Sequence, residues 1–518
     1  MHNIKNLIQN VGWLFVGTIF SNVISIFVTI FLIRKLPVED FGIYSLFLGS
    51  LGMFGVLSIN GAIVALRRYI PELIQKKYYS YLKTFVRNLY FFSFSLGVFV
   101  IIVVFIFKNE VGIILQIKKF DIYFSIFIIN IILFLQNTFS KSVLTTIYEQ
   151  KFLSIVNLIS ILIRGILYAI FLNVITIELI FIIEAIVLGV NAIAGIIYTF
   201  LKINNIGNDD EVSISPEEIK ANRKRMRKYV ALSTADEMGE SAFSQVSDYY
   251  FISAFLGPEA IGMYAFPYKL ITSVLTWIPF TNIIPFIKSY YISQYYETGE
   301  SRNYLNIVYN FFTKMVLLYL GFIFIMIIAY QNLINVYLFN SKYIGTQTLL
   351  IIIIPYFLMG AFTYPNYLVL EISEKIQYTL YAKIFAVFNI AADYFVLKYT
   401  SWGLIGVGAA TGLSTFLRNY YIYYFVKKRT SISLNISELF RSVLLLSIFA
   451  IIVISASYIT SLVLKIFLPL TLSFISILLL IKILSPFNPE EKKQLNKLFG
   501  MVPLKIDFVR RILVFTIN

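Results

Sequence analysis

Arg164 is the one charged residue in an apolar run, 152–172, that is long enough to cross a bilayer. A charge at the bilayer centre costs about 2.5–3.5 kcal/mol on insertion scales, so such a residue normally faces a cavity or a partner. A guanidinium there offers a planar fork that takes phosphate bidentately. The alternatives are an ion pair with Glu184 or with a carboxylate of the run 229–255, and snorkelling to an interface. Lys269, in the run 261–287, is a second cation set within an apolar run. Asp248 would pair with it as an outer gate if their runs are neighbours, or as a purely structural ion pair. Asp236, Glu237 and Glu240 lie close together on a helix. They either neutralise the basic residues at 223–228 or, with Glu184 and Asp248, couple movement to H+ or Na+. Asn22, Asn60, Asn191 and Asn282 either line a polar path or bond between helices. Lys314, Lys383 and Arg418 have stems long enough to snorkel.

Several chemistries are excluded outright. The chain has no cysteine, and its one histidine is His2, which removes thiolate metal sites and Ser-His catalysis. No catalytic or metal-binding residues are assigned, no cofactor is expected, and the chain is not read as an enzyme.

The elements that must hold these charges are membrane helices. Apolar residues make up 59% of the 518 and charged residues 14%, and mean hydropathy is +0.80, which implies an all-α polytopic membrane protein. About fourteen transmembrane helices are expected, joined by short connections. The outside loops hold only Arg34, Lys35, Lys108, Lys118, Lys119, Lys342, Lys398 and Lys465 of the 43 lysines and arginines, which places both termini in the cytoplasm. That asymmetry accounts for the net charge of +16 without nucleic acid.

The decapeptide LPVEDFGIYS, from Leu36, returns as LGPEAIGMYA, from Leu256, and six expected spans separate the copies. An even number of intervening spans makes the halves a parallel, pseudo-twofold repeat. The expected organisation is therefore a six-helix bundle at 1–201, a cytoplasmic basic linker at 202–228, and a second six-helix bundle at 229–430. Two further helices follow at 431–485, then a cytoplasmic amphipathic tail at 486–518. In the repeat, Gly42 and Gly262 are expected to permit a tight turn, the tyrosines to anchor at the interface, and Glu39 and Glu259 to be solvated or to cap. Ser215-Pro216-Glu217-Glu218 reads as a capping box that starts a basic helix, and Asn488-Pro489-Glu490-Glu491 starts another. Linker and tail are expected to attract anionic lipids.

The segments IRKLPVEDFGIYSLF and GMFGVLSINGAIVALRRYIPEL resemble the opening of polysaccharide-biosynthesis flippases of the multidrug/oligosaccharidyl-lipid/polysaccharide exporter superfamily. The segment SDYYFISAFLGPEAIGMYAFPYKLI is similar to the start of their second half, and WGLIGVGAATGLS to a glycine-rich late span. The resemblance implies two six-helix bundles around a central cavity whose cations hold the diphosphate of a lipid-linked oligosaccharide while the prenyl chain stays in lipid. It implies transfer from the cytoplasmic to the outer leaflet in a prokaryotic plasma membrane, with other polysaccharide-assembly proteins as partners. It carries no catalytic motif to any residue here. The competing readings are an ion-coupled drug or metabolite antiporter of the same superfamily and an integral-membrane glycosyltransferase or polymerase.

Overall fold

A computed structural model describes residues 21–494 apart from 208–214, 242–244, 278–290, 292–294, 296–300, 459–461 and positions 148, 340, 374 and 376. Among the described residues the chain is helical, with no strand. Each of the fourteen apolar runs carries helix over at least part of its length. Among the described residues, nine helical stretches are long and apolar enough to cross a membrane. The chain separates into two compact units, residues 1–265 with 394–403, and residues 266–393 with 404–518. This division falls inside the second repeat half, just after the second decapeptide.

The first unit begins with α1 (21–35), α2 (Val38–Ser58), α3 (Asn60–Gln75), α4 (Tyr79–Ile106) and the short α5 (Lys108–Ile114). It continues with α6 (Phe120–Thr146), α7 (Gln150–Ile170), α8 (Ile177–Asn204), α9 (Pro216–Ser241) and α10 (Gln245–Leu256). The start of α11 (Pro258–Trp277) completes it. Apolar residues recur all round α2, α6 and α8, so these helices both pack on one another and expose apolar faces, as at Ile186 and Ile193 of α8. Their shared core is aromatic. Phe47 of α2 meets Phe127 of α6 and Phe181 of α8 at ring separations of 5.0 and 5.1 Å. Asn130 of α6 is fully buried and donates from its Nδ2 to the Phe181 carbonyl at 3.0 Å, while its Oδ1 has no hydrogen-bond partner among the described residues.

The two decapeptides meet in this unit. Their glycines lie inside α2 and α11 rather than in the preceding turns, which corrects the expectation of a tight-turn role. The turn residue proper is Gly257, at φ +84°, and Pro37 takes its place in the first copy. A Cβ on Gly42 would strike the Pro258 carbonyl oxygen, and one on Gly262 would strike the carbonyl of Val38. Each glycine thus lets its helix cross the other backbone to backbone. Glu39 and Glu259 are exposed in the first turns of these helices, where a carboxylate complements the helix dipole.

The basic helix α9 starts where its sequence predicts, with the Glu218 amide donating to the Ser215 hydroxyl at 3.2 Å. It runs against α3. Gly61 brings the backbones together at Val230 and Thr234, and Arg225 donates to Glu72 at 2.7 Å near the other end. Lys76 and Arg68 also reach Glu72, at 3.1 and 3.5 Å. Burial pushes the Glu72 carboxyl up, but hydrogen bonds from Arg225 and Lys76 outweigh it and hold the group below the ordinary carboxylate value.

In the second unit α12 (Arg302–Leu333) packs on α13 (Ile436–Ser457) and α14 (Leu462–Leu484). Leu318, Leu445, Phe449, Val453 and Leu480 form their common core. Lys314 of α12 does not snorkel. It is 2% exposed and donates to Glu438 and Glu491, each at 2.5 Å, and to the Pro486 carbonyl at 3.0 Å. The expected Asn488 cap is present in both directions, with the Glu491 amide on the Asn488 side chain at 2.9 Å and the Asn488 amide on the Glu491 carboxylate at 3.0 Å. The capping glutamate is therefore also a partner of a membrane lysine. The tail beyond residue 494 lies outside the described residues.

Candidate functional site

α7 and α8 are consecutive antiparallel helices, and Thr176 caps the second by accepting from the Leu179 amide at 3.3 Å. That turn sets Arg164 opposite Glu184. By helix rise, Arg164 stands ~21 Å from the start of α7 and ~9 Å from its end, within the apolar stretch. Its Nη2 donates to one oxygen of Glu184, and the Tyr168 hydroxyl, one turn further along α7, donates to the other at 3.0 Å. Both carboxylate oxygens are occupied, and the side chain is 3% exposed. Arg164 itself is 24% exposed, and its buried Nε has no partner among the described residues. The pair therefore neutralises the carboxylate while leaving part of the guanidinium's donor fork free. Phe31 of α1 packs on Tyr168 at 6.5 Å, and buried Tyr44, the repeat tyrosine of α2, lies close to both charges.

Polar contacts continue from this pair along α7, one to α8 and one to α1. Asn191 of α8 donates to the Ser160 hydroxyl at 2.7 Å, and Asn157 donates to Ser21 of α1 at 2.9 Å. Asn191 thus bonds between helices. Asn22 is half-buried on α1, and Asn282 lies outside the described residues.

A second polar contact joins α3 to α9, where Asn60 donates to Glu237 at 3.0 Å. The side chains of Asp236 and Glu240 lie outside the described residues. Asp248 on α10 is fully buried and accepts from the Tyr264 hydroxyl at 2.7 Å and from Ser247 at 3.4 Å. Lys269 is half-buried on α11 and belongs to the second compact unit, whereas Asp248 belongs to the first.

Two contacts escaped sequence reasoning. Ser50 and Tyr250 bond at 2.6 Å, and Lys314 gathers two glutamates. The first has no signal in sequence; the second had one, since a lysine within an apolar run needs a counter-charge. Among the described residues no group of three metal-ligating side chains comes together.

Among curated proteins none matches this sequence. The family described as "Polysaccharide biosynthesis protein" matches residues 7–290, more than half of the chain. The solved structure described as lipid II flippase MurJ in an inward closed conformation superposes with a TM-score of 0.63 at 16% identity, covering 90% of this chain and 98% of that one. An inward-facing multidrug resistance MATE family transporter of the MOP superfamily gives 0.60 at 14%, covering 80% and 94%. A MOP superfamily transporter from Pyrococcus furiosus, described as having a reverse-polarity binding pocket, gives 0.51 at 14%, covering 83% and 98%. At these identities the likeness is one of fold.

Proposed function

This chain belongs to the polysaccharide biosynthesis protein family, and from that membership, its MurJ- and MATE-like fold and its intramembrane charges we propose that it is a flippase for polyprenyl-diphosphate-linked oligosaccharide. Transfer runs from the cytoplasmic to the outer leaflet of a prokaryotic plasma membrane by alternating access, with both termini in the cytoplasm. The observation that carries the reading is the Arg164–Glu184–Tyr168 cluster, which sets an arginine inside an apolar stretch with donor capacity to spare.

A diphosphate and its sugars cannot enter hydrocarbon without replacement of their hydration. Arg164 supplies part of that replacement, and Glu184 holds the guanidinium in place between substrates. The prenyl chain needs no protein path and stays in lipid. Lys269 is the second cation assigned to the diphosphate. Glu237, held by Asn60, together with Asp236, Glu240, Asp248 and Glu184, supplies the carboxylates for H+ or Na+ coupling. The exposed basic residues of α9, among them Arg223, Lys224 and Arg227, contact anionic lipid at the inner surface, as does the tail.

Reconstitution into liposomes with a diphosphate-linked oligosaccharide, followed by measurement of the glycan's sidedness, tests this. Protein-dependent movement is expected. Its absence with a proton gradient, with a sodium gradient and with neither would reject the flippase reading, and movement of cationic drugs instead would favour the antiporter of the same superfamily.

A further inference from the structure

The first unit contains an apolar slot of about 550 Å³, within the ~300–1,000 Å³ typical of small-ligand sites. Phe54 and Phe47 of α2, Phe124 of α6, Val111 of α5 and Ala254 of α10 are among its walls. Among the described residues that line it, Ser50, Tyr250 and Tyr394 bring the hydroxyls. Ser50 donates to the Leu46 carbonyl at 2.7 Å, so Tyr250 donates to Ser50, and neither asks for a polar ligand. The slot opens where its lining is exposed, at Ile114 (61%), Phe255 (37%) and Tyr394 (40%).

Three lysines border the slot's lining. Phe120 is also a wall of an adjoining polar hollow of about 380 Å³, lined by Lys108, Asn109, Gln116, Lys118 and one carboxylate, Asp121. Lys398 donates to the hydroxyl of Tyr394, itself a wall of the slot, at 2.5 Å. Outward-facing loops are poor in lysine by the positive-inside rule, and three of the cations assigned to them, Lys108, Lys118 and Lys398, border the slot's lining through Phe120 and Tyr394. Apolar depth beside a lysine-lined hollow is complementary to one hydrocarbon chain bearing a phosphate.

We propose that the slot and its lysine rim form a second lipid site, which holds the chain and phosphate head of a polyprenyl phosphate or diphosphate at the outer face. The choice of a prenyl chain rests on the flippase reading; the slot and its rim do not. The enclosed depth takes a single chain, and the head lies against Lys108 and Lys118.

The test uses full-length protein in phosphatidylcholine nanodiscs with a diazirine-bearing farnesyl phosphate, photolysed and mapped by mass spectrometry. Adducts are expected within 104–127 and 250–255. Ala254→Phe, which fills the slot, and Ile114→Trp, on an exposed lip where folding is not at stake, should each reduce adducts at least 5-fold. Lys108→Gln with Lys118→Gln should do so for farnesyl phosphate and not for the matching farnesol probe. Adducts undiminished by both Ala254→Phe and Ile114→Trp would overturn the proposal, as would competition by phosphatidylglycerol equal to that of unlabelled farnesyl phosphate. Because crosslinking is read without transport, absence of adducts at 104–127 and 250–255 in the parent protein alone rejects the slot, and failed glycan movement alone rejects the flippase.

Discussion

Gly42 and Gly262 hold the same place in two copies of one motif and lie against each other, each beneath the backbone of the opposite copy. A Cβ on Gly42 would stand 2.7 Å from the Gly262 nitrogen and nearer still to the Pro258 carbonyl. The contact is reciprocal, as expected for positions beside a pseudo-twofold axis.

Gly42→Ala and Gly262→Ala should each cost about 1–3 kcal/mol, because the obstruction is backbone that cannot rotate away. Gly52→Ala, in the same helix α2 with nothing within 4 Å of its Cβ, should instead stabilise by about 0.5–1 kcal/mol. Thermal unfolding in detergent distinguishes them. Equal behaviour of the three would remove the crossing as a source of stability.

Arg164→Lys keeps a charge opposite Glu184 but loses the planar fork. Transport of the diphosphate-linked glycan should fall at least tenfold with little change in melting temperature. Arg164→Ala alone should destabilise by about 3 kcal/mol, since it strands a buried carboxylate. The double change Arg164→Met with Glu184→Gln should recover stability without recovering transport. Recovery of both would make the pair structural.

Burial pushes the Glu491 carboxyl above its ordinary value against the pull of Lys314. The folded state therefore binds this proton more tightly than the unfolded chain does. The resulting stabilisation of the 486–494 segment is fully present below the ordinary value of 4.5 and is lost as pH rises through the shifted one. Hydrogen exchange of residues 486–494 should accelerate with pH beyond its intrinsic dependence, and Glu491→Gln should abolish the excess. An unchanged profile in that variant would assign the dependence to another group.

Glu72 has the opposite sign. Its carboxyl is held low, so its contribution to docking α9 is present above the ordinary carboxylate value and disappears as pH falls through the lowered one. The Arg225 end of the pair is half in solvent, which limits Glu72→Gln to about 0.5–1 kcal/mol. Protease cleavage within 216–228 should become faster in that variant at neutral pH and indistinguishable from the parent in acid.

Much of the helical framework was legible, because a run of apolar residues in lipid has no means of satisfying its backbone except helix. The starts of α9 and of the 489–494 helix were equally plain, since Ser215 and Asn488 carry their acceptors at the required spacing. The role of Gly42 was not, because a missing Cβ serves a turn and a helix crossing alike, and only the partner decides. Arg164 and Glu184 were recognisable as possible partners, being 20 residues apart across one turn of the chain. Lys314 was misread for the converse reason: its counter-charges are remote in sequence, and no periodicity connects them.

That remoteness orders events during synthesis. Glu438 is made 124 residues after Lys314 and Glu491 177 residues after it. At ~5–20 residues per second the lysine waits about 9–35 s for its last partner. Until Glu438 is made, α12 carries a lysine with neither of its counter-charges within an apolar stretch, and Glu491 then completes the cluster. Closure of the cluster marks the moment at which this end of the protein ceases to look incomplete.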